Sequence, residues 1–138
     1  MSLVVREATE ADIPAIKIMM REFADYLNAI DEPEDVPDEV FDRIGPIAFG
    51  KDRLCSALLA EVDGKPAGYL LYFVGIFTDP LTPVLFVADL FVREPYRRAD
   101  AGTALMLHAR KIARARAANQ IVWTVWRKHS KAVDFYRA

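Results

Sequence analysis

The chain has 138 residues, 53% of them apolar, a formal net charge of −2 and a single cysteine. That length suits one domain with a real core, and a lone thiol excludes an internal disulfide, a paired-cysteine redox centre and a cysteine zinc site. The longest apolar run, residues 67–77, is interrupted by glycine and too short for a membrane helix, so it reads as a buried strand and no membrane partner is expected.

The start, Met1-Ser2-Leu3, passes directly into a strand-like segment with no basic region and apolar stretch before it, so a cytoplasmic protein is expected. Residues 3–7 read as the first strand, and Thr9-Glu10-Ala11-Asp12 as a capping box that opens a helix. Ile13, Ile16, Met20, Phe23 and Leu27 follow at alternating three- and four-residue steps, which predicts one apolar stripe facing a sheet, with the helix ending at Asn28. Residues 31–39 are acidic and carry Pro33 and Pro37, a loop before a shorter helix through Val40, Phe41 and Ile44.

Residues 54–61 and 65–74 are strand-like runs around Val62-Asp63-Gly64-Lys65, a hairpin turn in which Gly64 supplies the positive φ. Cys55, inside an apolar run, reads as a small buried hydrophobe rather than a nucleophile. Residues 78–83 form the next turn, and residues 84–92 the next strand, so the sheet is a mostly antiparallel meander to this point. Leu105, Met106, Ala109, Ile112, Ala113 and Ala117 then give a helix an apolar flank, and residues 120–126 read as a strand lying parallel to its predecessor through the crossover. A last helix starts in residues 130–136.

The charge is unevenly placed. Residues 1–69 hold 15 acidic and 7 basic side chains, and residues 70–138 hold 5 acidic and 11 basic. Such a split suits a polyanionic ligand on one half and a cationic one on the other. Arg110, Lys111, Arg114 and Arg116 crowd one helix, but with a sequence pI near 5.7 they read as a solvated face, and no nucleic-acid partner is expected.

One junction is built to hold an anion. In Val92-Arg93-Glu94-Pro95-Tyr96-Arg97-Arg98-Ala99-Asp100-Ala101-Gly102-Thr103 an apolar strand runs through a basic loop into a helix, whose first amides lack internal partners and carry partial positive charge.

Arg97-x-x-Asp100-x-Gly102 resembles the R/Q-x-x-G-x-G/A motif of the GNAT superfamily of acyl-CoA-dependent N-acetyltransferases, with Asp100 in place of one glycine. Residues 88–92 (Ala-Asp-Leu-Phe-Val) followed by Pro95-Tyr96-Arg97 resemble the spermidine/spermine acetyltransferase-like branch, and His129-Ser-Lys-Ala-Val-Asp-Phe-Tyr136 resembles N-x-x-A-x-x-F/L-Y. Order and spacing agree with that family. The resemblance implies a single GNAT-like α/β (α+β) domain over residues 1–138: a mixed, mostly antiparallel sheet with helices on both faces and splayed central parallel strands. Family folds add edge strands after the last helix, so this sequence is expected to lack them; homodimerisation is expected from family habit and the open edge.

The resemblance also implies acetyl-CoA as co-substrate and no metal. The backbone of Leu90, Phe91 and Val92 would pair with the pantetheine arm, and Arg97, Arg98, Ala99, Asp100, Ala101, Gly102 and Thr103 would wrap the pyrophosphate. His129, Lys131 and Ala132 would complete the cofactor site. Asp100 matters physically: a carboxylate about 5 Å from a phosphate costs roughly 3 kcal/mol at an effective dielectric of ~20, unless it turns to solvent. Arg97 and Arg98 would offset it.

Acetylation of an amine needs a proton for the departing thiolate. Tyr136 is acidic enough to supply one yet protonated at neutral pH, and the tyrosine of this motif does so in the family. Its bland alternative is core packing beside Phe135. The branch has a glutamate base where this chain has Ala88; Asp89 faces the other side of the strand and reads as ordering the loop. His129 is a base or relay, or else a cofactor or helix-capping contact; His108 is structural or surface. Glu32, Glu34 and Asp35 are either a solvated run or an attraction for an ammonium group, and Phe23, Tyr26, Tyr72 and Phe73 either line an acceptor pocket or sit in the core.

The expected function is transfer of an acetyl group from acetyl-CoA to a primary amine by direct attack. No cysteine or serine sits in a nucleophile-like setting, so no acetyl-enzyme is expected. The alternative is a catalytically degenerate GNAT-like module that binds acyl-CoA or serves a structural role.

Overall fold

A computed structural model describes residues 2–30 and 33–123 of the chain. Five strands form one sheet in sequence order: β1 (Leu3–Glu7), β2 (Ser56–Val62), β3 (Lys65–Thr78), β4 (Leu81–Val92) and β5 (Ile121–Trp123). The first four are antiparallel neighbours, and β5 lies parallel to β4 after helix α2 (Ala101–Ala115). Helix α1 (Ile13–Ile30) joins the first two strands by way of a loop and two short turns. The mixed, mostly antiparallel sheet agrees with the sequence-based expectation.

Strand alternation sorts the core into two layers. Ala57, Leu59, Tyr69, Leu71 and Phe91 pack with Ile16 and Met19 of α1. Leu58, Ala60, Leu70, Tyr72, Leu85, Val87 and Leu90 pack with Ala101, Leu105, Ala109 and Ala113 of α2. The helices therefore cover opposite faces. The stripe of α1 is turned slightly from its predicted setting: Ile16 and Met19 are fully buried, whereas Met20 and Phe23 only border the core.

Helix α1 starts as the sequence indicates, with the Thr9 amide donating to the Asp12 carboxylate at 2.7 Å. Arg6 of β1 donates to both oxygens of Asp12, at 2.8 and 2.9 Å, and to Glu61 of β2 at 2.8 Å, locking the helix start to two strands. At the other end α1 runs two residues past Asn28, whose side chain instead clamps the loop by bonding the amide and carbonyl of Glu34, each at 3.0 Å. The expected short helix is a 3₁₀ turn, Asp38–Arg43, followed by a π turn, Gly45–Phe49. Pro46 near the start of that second segment lacks the amide hydrogen a regular helix there would use.

The turn after β2 has φ of 51° at Asp63 and 78° at Gly64, the left-handed pair that closes a two-residue hairpin. The turn between β3 and β4 is shorter than residues 78–83: both strands extend until only Asp79 and Pro80 separate them. Beyond the sheet body this hairpin carries stacked Phe73 and Phe86, with Phe77 set edge-on to Phe86.

Candidate active site

The region that the anion argument singles out begins with a bulge. Leu71 pairs with Asp89 but Tyr72 pairs with Val87, so Ala88 is an extra residue in β4. Such an insertion shifts strand phase. Leu85 and Val87 face α2 before the bulge and Leu90 faces it after, while Phe91 turns to α1. The side chains of Leu90 and Phe91 are thus committed to the two cores, and what β4 can offer a ligand here is its backbone. Among the described residues, β5 pairs only with Leu85–Val87 of β4.

Beside the bulge, the Tyr69 hydroxyl donates to Asp89 Oδ2 at 2.7 Å. Burial outweighs that bond and pushes the Asp89 carboxyl up to about 6. The side chain is engaged with β3 and with the Leu90 amide, not with the loop that follows β4, which corrects the expectation that it orders that loop. Ala88, at the position of the branch's glutamate, is exposed.

After Val92 comes one 3₁₀ turn, Glu94–Tyr96, in which Pro95 lacks a donor that would in any case go unused. Arg97 and Arg98 are exposed. The side chain of Arg97 folds back from the loop toward α1. Its guanidinium lies 4.7 Å from the centre of the Tyr26 ring and 6.0 Å from that of Phe91, and its Nε donates to the Val92 carbonyl at 3.1 Å.

Asp100 occupies the N-cap of α2 with φ 62° and ψ 22°, a left-handed conformation that explains why the family motif carries glycine there. Aspartate at an N-cap ordinarily accepts hydrogen bonds from the first amides of its helix. Here it makes no capping bond and its side chain is exposed, although its carbonyl accepts normally from Ala104 at 2.9 Å. The first turn of α2 contains no acidic residue, and Ala101 and Gly102 are buried while Thr103 is exposed. The partial positive charge of the helix start is consequently not compensated by a side-chain cap. A groove of about 1020 Å³ runs from Thr103 past Met106, Arg110 and Arg114 to Gln120 and Trp123.

The aromatic residues weighed for an acceptor pocket do not converge. Phe23 stacks on Phe91 with ring centres 5.0 Å apart, Tyr26 receives Arg97, and Phe73 stacks on Phe86 at 4.9 Å. Tyr72 lies on the α2 face, where its hydroxyl donates to Glu7 at 3.2 Å. Glu34 and Asp35 are exposed, and Asp38 is taken by Arg21 at 2.6 Å. Cys55 is half-buried, and burial pushes its thiol up, which agrees with an unreactive side chain. Glu32, Tyr136, His129, Lys131 and Ala132 lie outside the described residues.

Sequence reasoning missed two contacts between α1 and the end of β4. Arg93 forms a two-pronged ion pair with Glu22, Nε to Oε1 and Nη2 to Oε2, both at 2.9 Å. Arg97 on Tyr26 is the second. The only signal was the shared four-residue spacing of Glu22 with Tyr26 and of Arg93 with Arg97, which has no meaning until the two segments are known to be adjacent.

An antiparallel meander, a bulged fourth strand and an open helix start after a basic loop define an acyl-CoA-dependent acetyltransferase fold. The sequence profile of the Acetyltransferase (GNAT) family matches residues 16–138, and the chain belongs to that family. It is an N-acetyltransferase that transfers the acetyl group of acetyl-CoA to an amine. The thialysine N-epsilon-acetyltransferase of Sus scrofa is 28% identical over 144 residues, spanning 99% of this chain and 82% of that protein. Among solved structures, a possible acetyltransferase from Clostridium difficile superposes with a TM-score of 0.81 at 15% identity, covering 98% of this chain and 87% of that one. The ribosomal-protein-alanine N-acetyltransferase of Brucella melitensis superposes with a TM-score of 0.78 at 18% identity over 99% of this chain and 90% of its own.

Proposed function

We propose that the acceptor is a primary amine on a short alkyl arm, attacking the thioester directly. The observation that carries this reading is the start of α2, which has no side-chain cap and no acidic residue in its first turn, next to the bulged strand: an anion held by the amides of residues 101–103 directs the thioester arm of the same molecule along the backbone of Leu90, Phe91 and Val92. Arg98 and the loop backbone from Arg97 to Asp100 enclose the pyrophosphate, and Arg110 and Arg114 in the groove meet the outer phosphate. In this reading His129, Lys131 and Ala132 contribute the remaining contacts to acetyl-CoA. The alkyl amine is supported by the thialysine acetyltransferase relative and by the exposed carboxylates of Glu34 and Asp35.

In this reading the amine nitrogen adds to the acetyl carbonyl, the C–S bond breaks, and Tyr136 gives its proton to the departing thiolate. The proton lost by the ammonium group passes to Asp89, which directly follows the bulge in β4 and whose carboxyl, pushed up to about 6 by burial, is a better proton acceptor than an ordinary carboxylate. A backbone amide of β4 polarises the carbonyl.

Steady-state assays of acetyl-CoA with lysine, thialysine and spermidine test the reading. Acetylation of one of them that falls at least a hundredfold in Tyr136→Phe is the expected result. Full activity in that variant overturns the proton-donor assignment, and inactivity of the wild type on all three overturns the acceptor class. The same reading carries a cytoplasmic homodimer, supported by the exposed apolar residues Ile76 and Leu81 of the β3–β4 hairpin. Sedimentation of a monomer alone removes the dimer.

A further inference from the structure

We propose that Tyr26 is a positioning residue for the cofactor loop: its ring, on the helix that covers the opposite layer, holds Arg97 and thereby fixes the segment from which the helix-start amides are presented.

The geometry is a two-rung ladder. Glu22 and Tyr26 lie one turn apart on α1, and Arg93 and Arg97 lie four residues apart after β4. The first rung is the two-pronged Glu22–Arg93 ion pair, which Arg93 Nη1 extends to the Pro66 carbonyl at 3.3 Å. The second is the Arg97 guanidinium over Tyr26, shared with Phe91, whose own ring is stacked on Phe23 of the same helix. Arg97 Nε donates to the Val92 carbonyl, so the side chain folds back across the loop and ties its start to its middle. Three residues later Asp100 must adopt its left-handed conformation for α2 to begin with its amides free.

A non-glycine residue in that conformation is disfavoured, so the loop needs external constraint to stay in it. Asp100 supplies no capping bond toward that end, and Arg98 makes no ion pair among the described residues. The constraint comes from the two rungs. The side chain of Arg97 is spent on shaping the loop and not on contacting phosphate. Tyr26 acts through its ring face, because no hydrogen bond of its hydroxyl is involved in the contact.

The inference rests on acetyl-CoA binding at the start of α2, and the experiment separates the two. Calorimetric titration of wild-type protein with acetyl-CoA first establishes binding; absence of binding overturns the cofactor placement itself. With binding in hand, Tyr26→Leu is expected to weaken acetyl-CoA affinity and raise its KM by roughly fivefold, the loss of one cation–π contact, with kcat and the KM for amine within twofold. Tyr26→Phe is expected to behave as wild type. In the double variant Tyr26→Leu with Arg97→Leu, the loss is expected to match that of either single change. Equal damage from Tyr26→Phe, an effect on amine KM instead of acetyl-CoA KM, unchanged or improved acetyl-CoA affinity in Tyr26→Leu, or additive losses would each overturn the proposal. Unfolding midpoints of the variants show whether a loss of affinity accompanies mere loosening of α1, in which case Glu22→Gln, which cuts only the first rung, must reproduce the acetyl-CoA effect for the ladder to stand.

Discussion

The hydroxyl of Tyr69 and the carboxylate of Asp89 meet at 2.7 Å across β3 and β4, immediately beside the bulge at Ala88. The bond favours the anion but burial disfavours it more strongly, leaving Asp89 at about 6 when folded. Since that lies above the ordinary carboxylate value of 3.8, the folded state holds its proton more tightly than the unfolded chain, and stability falls as pH rises from about 4 through 6. Asp89→Asn is expected to raise the unfolding midpoint by a few degrees at pH 7.5 and to leave it unchanged at pH 4. The same variant is expected to lose activity at pH 7.5, and the wild-type kcat/KM to rise with pH through about 6.

Asp100→Gly relieves a left-handed non-glycine residue and removes a negative charge near the anion site. We expect acetyl-CoA to bind about tenfold more tightly and the unfolding midpoint to rise slightly, by the equivalent of about 1 kcal/mol. Asp100→Val, a branched residue forced into the same conformation, should do the reverse. Paired calorimetric titrations and melting curves measure both.

Gly68 sits against β4 so closely that a Cβ there would come within 2.7 Å of the Phe91 carbonyl oxygen. A backbone atom cannot step aside as a side chain can. Gly68→Ala is expected to displace β4 at Phe91, with a stability loss of about 2 kcal/mol and a weaker response to acetyl-CoA. Denaturant unfolding with and without the co-substrate checks this; a wild-type curve would mean that the strands separate freely.

Arg6 holds Asp12 well below the usual carboxylate range through its two hydrogen bonds. A depressed folded value contributes stability above about pH 4 that is lost as pH falls through that lower value. Asp12→Ala removes the cap of α1 and leaves Arg6 with Glu61 alone, so a loss of about 1 to 2 kcal/mol is expected at pH 7, shrinking at pH 2. Urea titrations at the two pH values give the difference directly.

The element order, the helix start after the basic loop and the family were legible because each is written locally. The period of α1, the glycine turn at residues 63–64 and the helix start after Asp100 depend on residues a few positions apart, and hydrophobic spacing reports them directly. Even so, Met19 displaced Met20 from the deepest position, because a stripe fixes the side of a helix to within one residue and only the shape of the sheet beneath it selects the knob that fits.

What the sequence by itself determined is a meander, a crossover and a helix start after a basic loop, together with the chemistry of a thioester-using acetyltransferase. Only the tertiary structure decided that Arg97 turns onto Tyr26, that the Tyr72 hydroxyl meets Glu7, and that Asp89 is raised toward neutrality by its surroundings. Those outcomes depend on partners 20 to 71 positions apart along the chain. A side chain's charge and reach are properties of its own residue, whereas its partner and its solvent exposure are properties of the packing, and a bulge of one residue in β4 is enough to exchange which side chains meet.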